Sequence, residues 1–203
     1  MKSFGTRLQY VSISLIMVAL SARPVQAQSD HMHQLATEAK PLTQAQGALL
    51  QIVRSSTVRF KGVSTAEAEG YHLAFGCVTG PDAGAMGLHY VKMPLVVDPP
   101  MTPNGEPDPT QPQIVIYEPL PEGGLHLIGA DYLILADTWD KAHPLQGAPQ
   151  MMGQLFHYFE APNRFGLPAF YTLHVWAWKE NPNGAFVNWH PNVSCASFSG
   201  QTQ

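Results

Sequence analysis

Four side chains in this chain combine metal-binding or acid–base chemistry with an apolar setting: His89, Glu118, His157 and His174. His89 enters an apolar run from a glycine-rich turn, in Gly84-Ala85-Met86-Gly87-Leu88-His89-Tyr90-Val91. Glu118 closes Ile114-Val115-Ile116-Tyr117, and strand alternation puts Ile114, Ile116 and Glu118 on one face. His174 shares the alternating phase of Trp176 and Trp178, and His157 lies in Leu155-Phe156-His157-Tyr158-Phe159. A carboxylate on an inward apolar face is costly unless paired, hydrogen-bonded or metal-bound, and neutral imidazoles are its natural companions around an ion. Three His and one Glu from separate strands would bind Zn, Cu, Mn or Fe with a position left open. Imidazoles of ordinary pKa would make such binding weaken below about pH 6.

Around these four, Tyr90 and Tyr117 are candidate acid–base neighbours, and Trp176 is a candidate ligand-facing aromatic. Asp131 fits either an outward phase of its strand or a supporting role, orienting a ligand imidazole. Two plainer readings stand beside the metal site. Each His can be a satisfied core residue, with Glu118 turned to solvent beside Pro119, in a structural or envelope-associated protein. The aromatic side chains of the last third, from Phe156 to Trp189, can line a metal-free pocket for a small molecule. No G-x-S-x-G, H-E-x-x-H, phosphate-binding glycine loop or dinucleotide fingerprint is present, so no reaction class is indicated and enzymatic activity stays open.

The elements that would carry these residues are helical first and β-type afterwards. Apolar spacing predicts a helix from Thr43, broken near Gly62, and a short second helix opened by Ser64-Thr65-Ala66-Glu67 and stopped by Gly70. Strands are expected over 88–91, 114–118, 126–136, 173–178 and 185–189, the last two forming a hairpin about an Asn-Gly turn. A short helix is expected over 151–158. Seven prolines between Pro94 and Pro112 predict a long surface loop without helix or central strand. The expected class is α+β: a mostly antiparallel sheet, sandwich or barrel-like, with an N-terminal helical layer.

Residues 1–27 carry Lys2 and Arg7, an apolar stretch over 10–20 and a Val25-Gln26-Ala27 end, the pattern of a cleavable secretory signal. The apolar stretch is well short of the roughly 20 residues needed to span a bilayer, so no transmembrane segment is expected in the mature chain. The expected organisation is a signal at 1–27, a flexible leader at 28–43 and one globular domain at 44–203, periplasmic or secreted. Of the 11 Lys and Arg, three (Lys2, Arg7, Arg23) leave with the signal, so eight remain against 15 acids, a net charge near −7. That balance gives no attraction to phosphate backbones, so the expected partners are a small molecule or metal ion rather than nucleic acid. Cys77 and Cys195 are the only cysteines, and in an oxidising compartment a lone pair reads as a disulfide.

The order Gly84-x-Met86-Gly87-x-His89-Tyr90, Tyr117-Glu118-Pro119, Leu173-His174-Val175-Trp176, Asn181-Pro182-x-Gly184-x-Phe186 and Pro191-x-Val193-Ser194-Cys195 resembles a family of uncharacterised exported bacterial proteins. The resemblance runs roughly from Ala68 to Cys195 and implies a single exported domain, with no activity, substrate or cofactor attached. His157 falls outside its matched pattern. A cupin has the same ligand types but needs His-x-His followed closely by Glu. The His-x-His here, His31-Met32-His33, sits in the leader, so the spacing rejects that assignment.

Overall fold

The first helix is started by local chemistry. The Thr43 hydroxyl accepts the Gln46 N–H at 3.2 Å, while the Gln46 side-chain oxygen accepts the Thr43 N–H at 2.9 Å. This reciprocal capping box opens α1 (Gln44–Thr57). Its Leu49, Leu50 and Val53 form a buried stripe. The computed structural model describes residues 41–80 and 82–203. The proposed signal and most of the leader therefore lie outside the described residues. A 3₁₀ turn (Val58–Lys61) leads into α2 (Val63–Ala68), which starts from Gly62 without the side-chain cap expected at Ser64.

The sheet follows, and the α+β expectation holds: six antiparallel strands curl into a half-barrel with helices against it. In chain order the strands are β1 (His72–Gly80), β2 (Gly84–Val91), β3 (Ile114–Pro119), β4 (Leu125–Leu135), β7 (His157–Phe159) and β8 (Phe170–Val175). Their spatial order is β1-β2-β3-β4-β8-β7. A separate two-stranded ribbon joins β5 (Gln150–Met151) to β6 (Gln154–Leu155). Two further helices, α3 (Met93–Val97) and α4 (Ala136–Ala142), follow β2 and β4.

The convex face is hydrophobic. The α1 stripe packs on Ala130, Tyr132, Ile134, Leu173 and Val175. Phe60 and Tyr71 stack edge-on at 5.1 Å and join Tyr90 and Tyr117 in the neighbouring cluster. The concave face is apolar too, through Ile114, Ile116, Leu133 and Phe170, and carries the polar residues described below. Curling is built in by irregular register. Residues are inserted in β1 between Ala74 and Cys77, in β2 between Ala85 and Gly87, and in β4 opposite Ile116 and Tyr117. Each bulge bends its strand and increases local twist. Gly87 (φ 90) and Gly129 allow the tight approach this requires. A Cβ at Gly87 would lie 2.6 Å from the Tyr117 carbonyl oxygen, and one at Gly129 would lie 2.6 Å from that of Val175.

Several local expectations are corrected. The 151–158 helix does not exist, because Met152 (φ 49) and Gly153 (φ 82) take left-handed conformations and close the β5–β6 ribbon instead. The 173–178/185–189 hairpin is also absent. β8 starts earlier, at Phe170, and stops at Val175. Beyond it, the Trp176 amide donates to Ala185 O, but the Trp178 and Lys179 amides both donate to Ile128 O, so no ladder with 185–189 forms. The proline-rich segment does contain a helix, the five-residue α3, with proline placed in its first turn where no N–H is required. β1 has no counterpart among the expected strands, since its alternation is broken at Phe75 (φ 66) and Gly76 (φ 67). The Cys77–Cys195 disulfide is present, with Cα atoms 5.8 Å apart. Among the described residues, no helix is long and apolar enough to cross a membrane.

Candidate metal centre

The register fixes which side chains meet. His89 on β2 pairs with Ile116 on β3, Ile114 pairs with Asp131 on β4, and Asp131 pairs with His174 on β8. Paired residues project to the same face, so His89, Asp131 and His174 all line the concave side. β2 and β8 are three strand spacings apart, roughly 14 Å in a flat sheet. Curling closes that gap: His89 Nε2 and His174 Nε2 lie 3.4 Å apart. The Asp131 carboxylate completes a group whose donor atoms all fall within 4.8 Å of one another, and all three residues are buried.

Hydrogen bonds orient each member. His89 Nδ1 faces Gly87 O at 3.2 Å. A carbonyl only accepts, so Nδ1 carries the proton and Nε2 presents its lone pair inward. Asp131 Oδ1 accepts from the Thr172 hydroxyl at 2.5 Å and stands 3.6 Å from His174 Nδ1, which makes no hydrogen bond of its own. The Trp176 ring stacks beside His174 with centroids 5.9 Å apart.

Burial governs the charges. Desolvation pushes His89 down to about 4, and the nearby His174 adds to the effect. Desolvation likewise pushes His174 down to about 3, helped by His157. Asp131 is pushed up to about 6 by the same cause, against the hydrogen bonds and imidazole that favour its ionised form. At neutral pH the site therefore holds two neutral imidazoles and one carboxylate, the protonation states a metal requires.

Of the side chains singled out in the sequence, the structure brings His89 and His174 together. Asp131 joins them directly, as a potential ligand and not only as a supporting group. Glu118 is buried too, but beyond the β4 bulge its carboxylate is held by Lys179 Nζ at 2.6 Å and the Ser194 N–H at 3.2 Å. His157 is exposed on β7, opposite Thr172, and offers no donor atom to the group. Tyr90 and Tyr117 occupy the opposite face, edge-to-face at 5.1 Å, with the Tyr117 hydroxyl donating to Phe60 O at 2.6 Å. They cannot serve the concave site as acid or base.

In front of the three donors lies a cavity of about 20 Å³, walled by Phe75, Phe159, Phe165, Leu167 and Phe170. Its rings form a continuous cage: Phe159 stacks on Phe170 at 5.1 Å, and Phe165 meets Phe75 edge-on at 5.4 Å. The β1 bulge is what turns Phe75 inward, which is why no sequence periodicity reveals it. Comparison with protein-family models, curated proteins and solved structures gives no match, so the site is read from its own geometry.

Proposed function

We propose that this chain is an exported metal-binding protein whose ion is held by His89, Asp131 and His174 on the concave face of the half-barrel. The observation that carries the reading is the pair of imidazole nitrogens 3.4 Å apart. The Gly87 carbonyl leaves His89 Nε2 as an acceptor. If His174 carries its proton on Nδ1, facing Asp131, two buried lone pairs oppose one another. If the proton is on Nε2, the bond to His89 is long and the Nδ1 lone pair faces a carboxylate. Asn188 lies beside His174 as well, yet neither His174 Nδ1 nor Asn188 Oδ1 makes a hydrogen bond, and unpaired polar atoms are expensive in a low-dielectric interior. A cation between the two Nε2 atoms relieves either tautomer. A tetrahedral ion with bonds of about 2.05 Å holds its nitrogen ligands about 3.3 Å apart, which matches the distance found. Zn, Cu, Mn and Fe all accept this donor set.

Export rests on the disulfide, which belongs to oxidising compartments, together with the signal-like pattern of residues 1–27. The single domain at 44–203 belongs to the same proposal. The direct test is metal analysis of untagged protein recovered from the periplasm or medium. About one transition-metal ion per chain is expected, lost in His89→Ala and in His174→Ala. Folded protein that carries none after incubation with each of the four ions would remove the reading. A metal-free pocket for a small apolar molecule would then be the better account of the phenylalanine cage.

A further inference from the structure

We propose that the open coordination positions of this ion take a small neutral diatomic of the size and polarity of dioxygen, and that the ion is iron(II). The inference rests on the metal reading above and extends it to the exogenous ligand. Three protein donors leave at least one position free on any of the candidate metals. Two imidazoles and one carboxylate hold zinc as well as iron, but zinc has no redox electrons with which to bind a neutral diatomic, and among the candidates iron(II) is the ion that pairs this donor set with oxygen species.

The space in front of the donors sets the size of what can bind there. About 20 Å³ accommodates a water molecule or a diatomic, not a metabolite. Its walls set the polarity. No Lys or Arg lines the cavity and Asp131 offsets one of the ion's two charges, so an anion finds the ion as its only partner and no hydrogen-bond donor among the surrounding apolar walls. Desolvating an anion among phenylalanines is costly, whereas an apolar diatomic loses little on entry. Phe165 and Leu167 are half-buried and form the mouth.

The experiment loads metal-free protein with iron(II) under anaerobic conditions, measures retained iron, then adds nitric oxide as a stable stand-in for dioxygen. Electron paramagnetic resonance should show the spin-3/2 iron–nitrosyl signal at about one per retained iron, and excess azide should not diminish it. In Phe165→Ala, which opens the mouth without touching a ligand, azide should compete. If no iron is retained, the metal reading and this inference fall together. If iron is retained but no nitrosyl forms, or if azide competes as well in the native chain as in F165A, the ligand assignment fails and the metal site stands.

Discussion

In the proposed site, proton and metal would compete for the same three groups, and their burial decides the pH at which each wins. In the metal-free protein His89 and His174 sit at about 4 and about 3, against 6.5 in the unfolded chain. The unfolded chain therefore binds more protons across that window. Stability that is fully present above about pH 6.5 falls as the pH drops toward 4. Asp131 works the other way, because its folded value of about 6 lies above 3.8 and the folded form takes up the proton first. One group against two reduces the loss without reversing it. Urea denaturation of metal-free protein should thus show a midpoint that drops between about pH 7 and about pH 4.5, and a His89→Leu/His174→Leu variant should flatten the drop. Metal retention should follow a different group. Acid release is expected as Asp131 protonates near pH 6, and not from imidazoles of ordinary pKa, since both are pushed lower. Thr172→Val removes the hydroxyl that favours the carboxylate, so its release midpoint should move to higher pH in a chelator titration. Glu118→Gln should keep the metal, because that carboxylate is engaged by Lys179 and Ser194.

At the scale of elements, the sheet must curl before donor atoms on three strands can meet. Gly87 stands at the bulge beside His89 and has no room for a methyl group. Gly87→Ala should cost about 2–4 kcal/mol and lower metal occupancy together, read by denaturant melts and metal analysis. Thr43→Ala removes the α1 cap on the convex side and should cost about 1 kcal/mol with occupancy unchanged. The contrast separates loss of fold stability from loss of site geometry. It also shows why the site was half legible in the sequence. His89 and His174 stand out because imidazoles interrupt apolar alternation, a local signal. The partnership of Asp131 with His174 depends on the β4–β8 register, which no local pattern states. Glu118 has the correct phase for an inward carboxylate, and it is indeed buried. What satisfies it is Lys179, 61 positions away in sequence and in an irregular segment, so phase alone could not identify its partner. The helical layer was readable for the opposite reason: the Thr43–Gln46 cap and the Leu49, Leu50, Val53 stripe are written within one helix. Strand β1 and the β5–β6 ribbon escaped because non-glycine residues at positive φ, Phe75 and Met152, break the expected periods.

Across the whole molecule, the Cys77–Cys195 bridge joins β1 to the irregular segment that folds back over the sheet. That segment also pairs with β2 through Ala85 and His190, and residues near the end run beside Cys77 through Gln201 and Gln203. A loop of 118 positions makes the bridge worth about 4–5 kcal/mol in unfolded-chain entropy. A Cys77→Ser/Cys195→Ser variant should therefore lose a few kcal/mol, and non-reducing peptide mapping of native protein should recover the linked pair. Finding two free thiols in exported material would overturn both the staple and the oxidising compartment it implies.

The depth of the three donors has a consequence for where the ion is acquired. His89, Asp131 and His174 are only 3–4% exposed, and a hydrated ion is larger than the space in front of them, so it would have to shed water at the Phe165 and Leu167 mouth. Exchange of an ion held there would be limited by local opening of that mouth rather than by intrinsic affinity. The protein would keep whichever cation it closed around, so the metal supply at the site of folding, and not the ranking of affinities measured afterwards, determines what it carries.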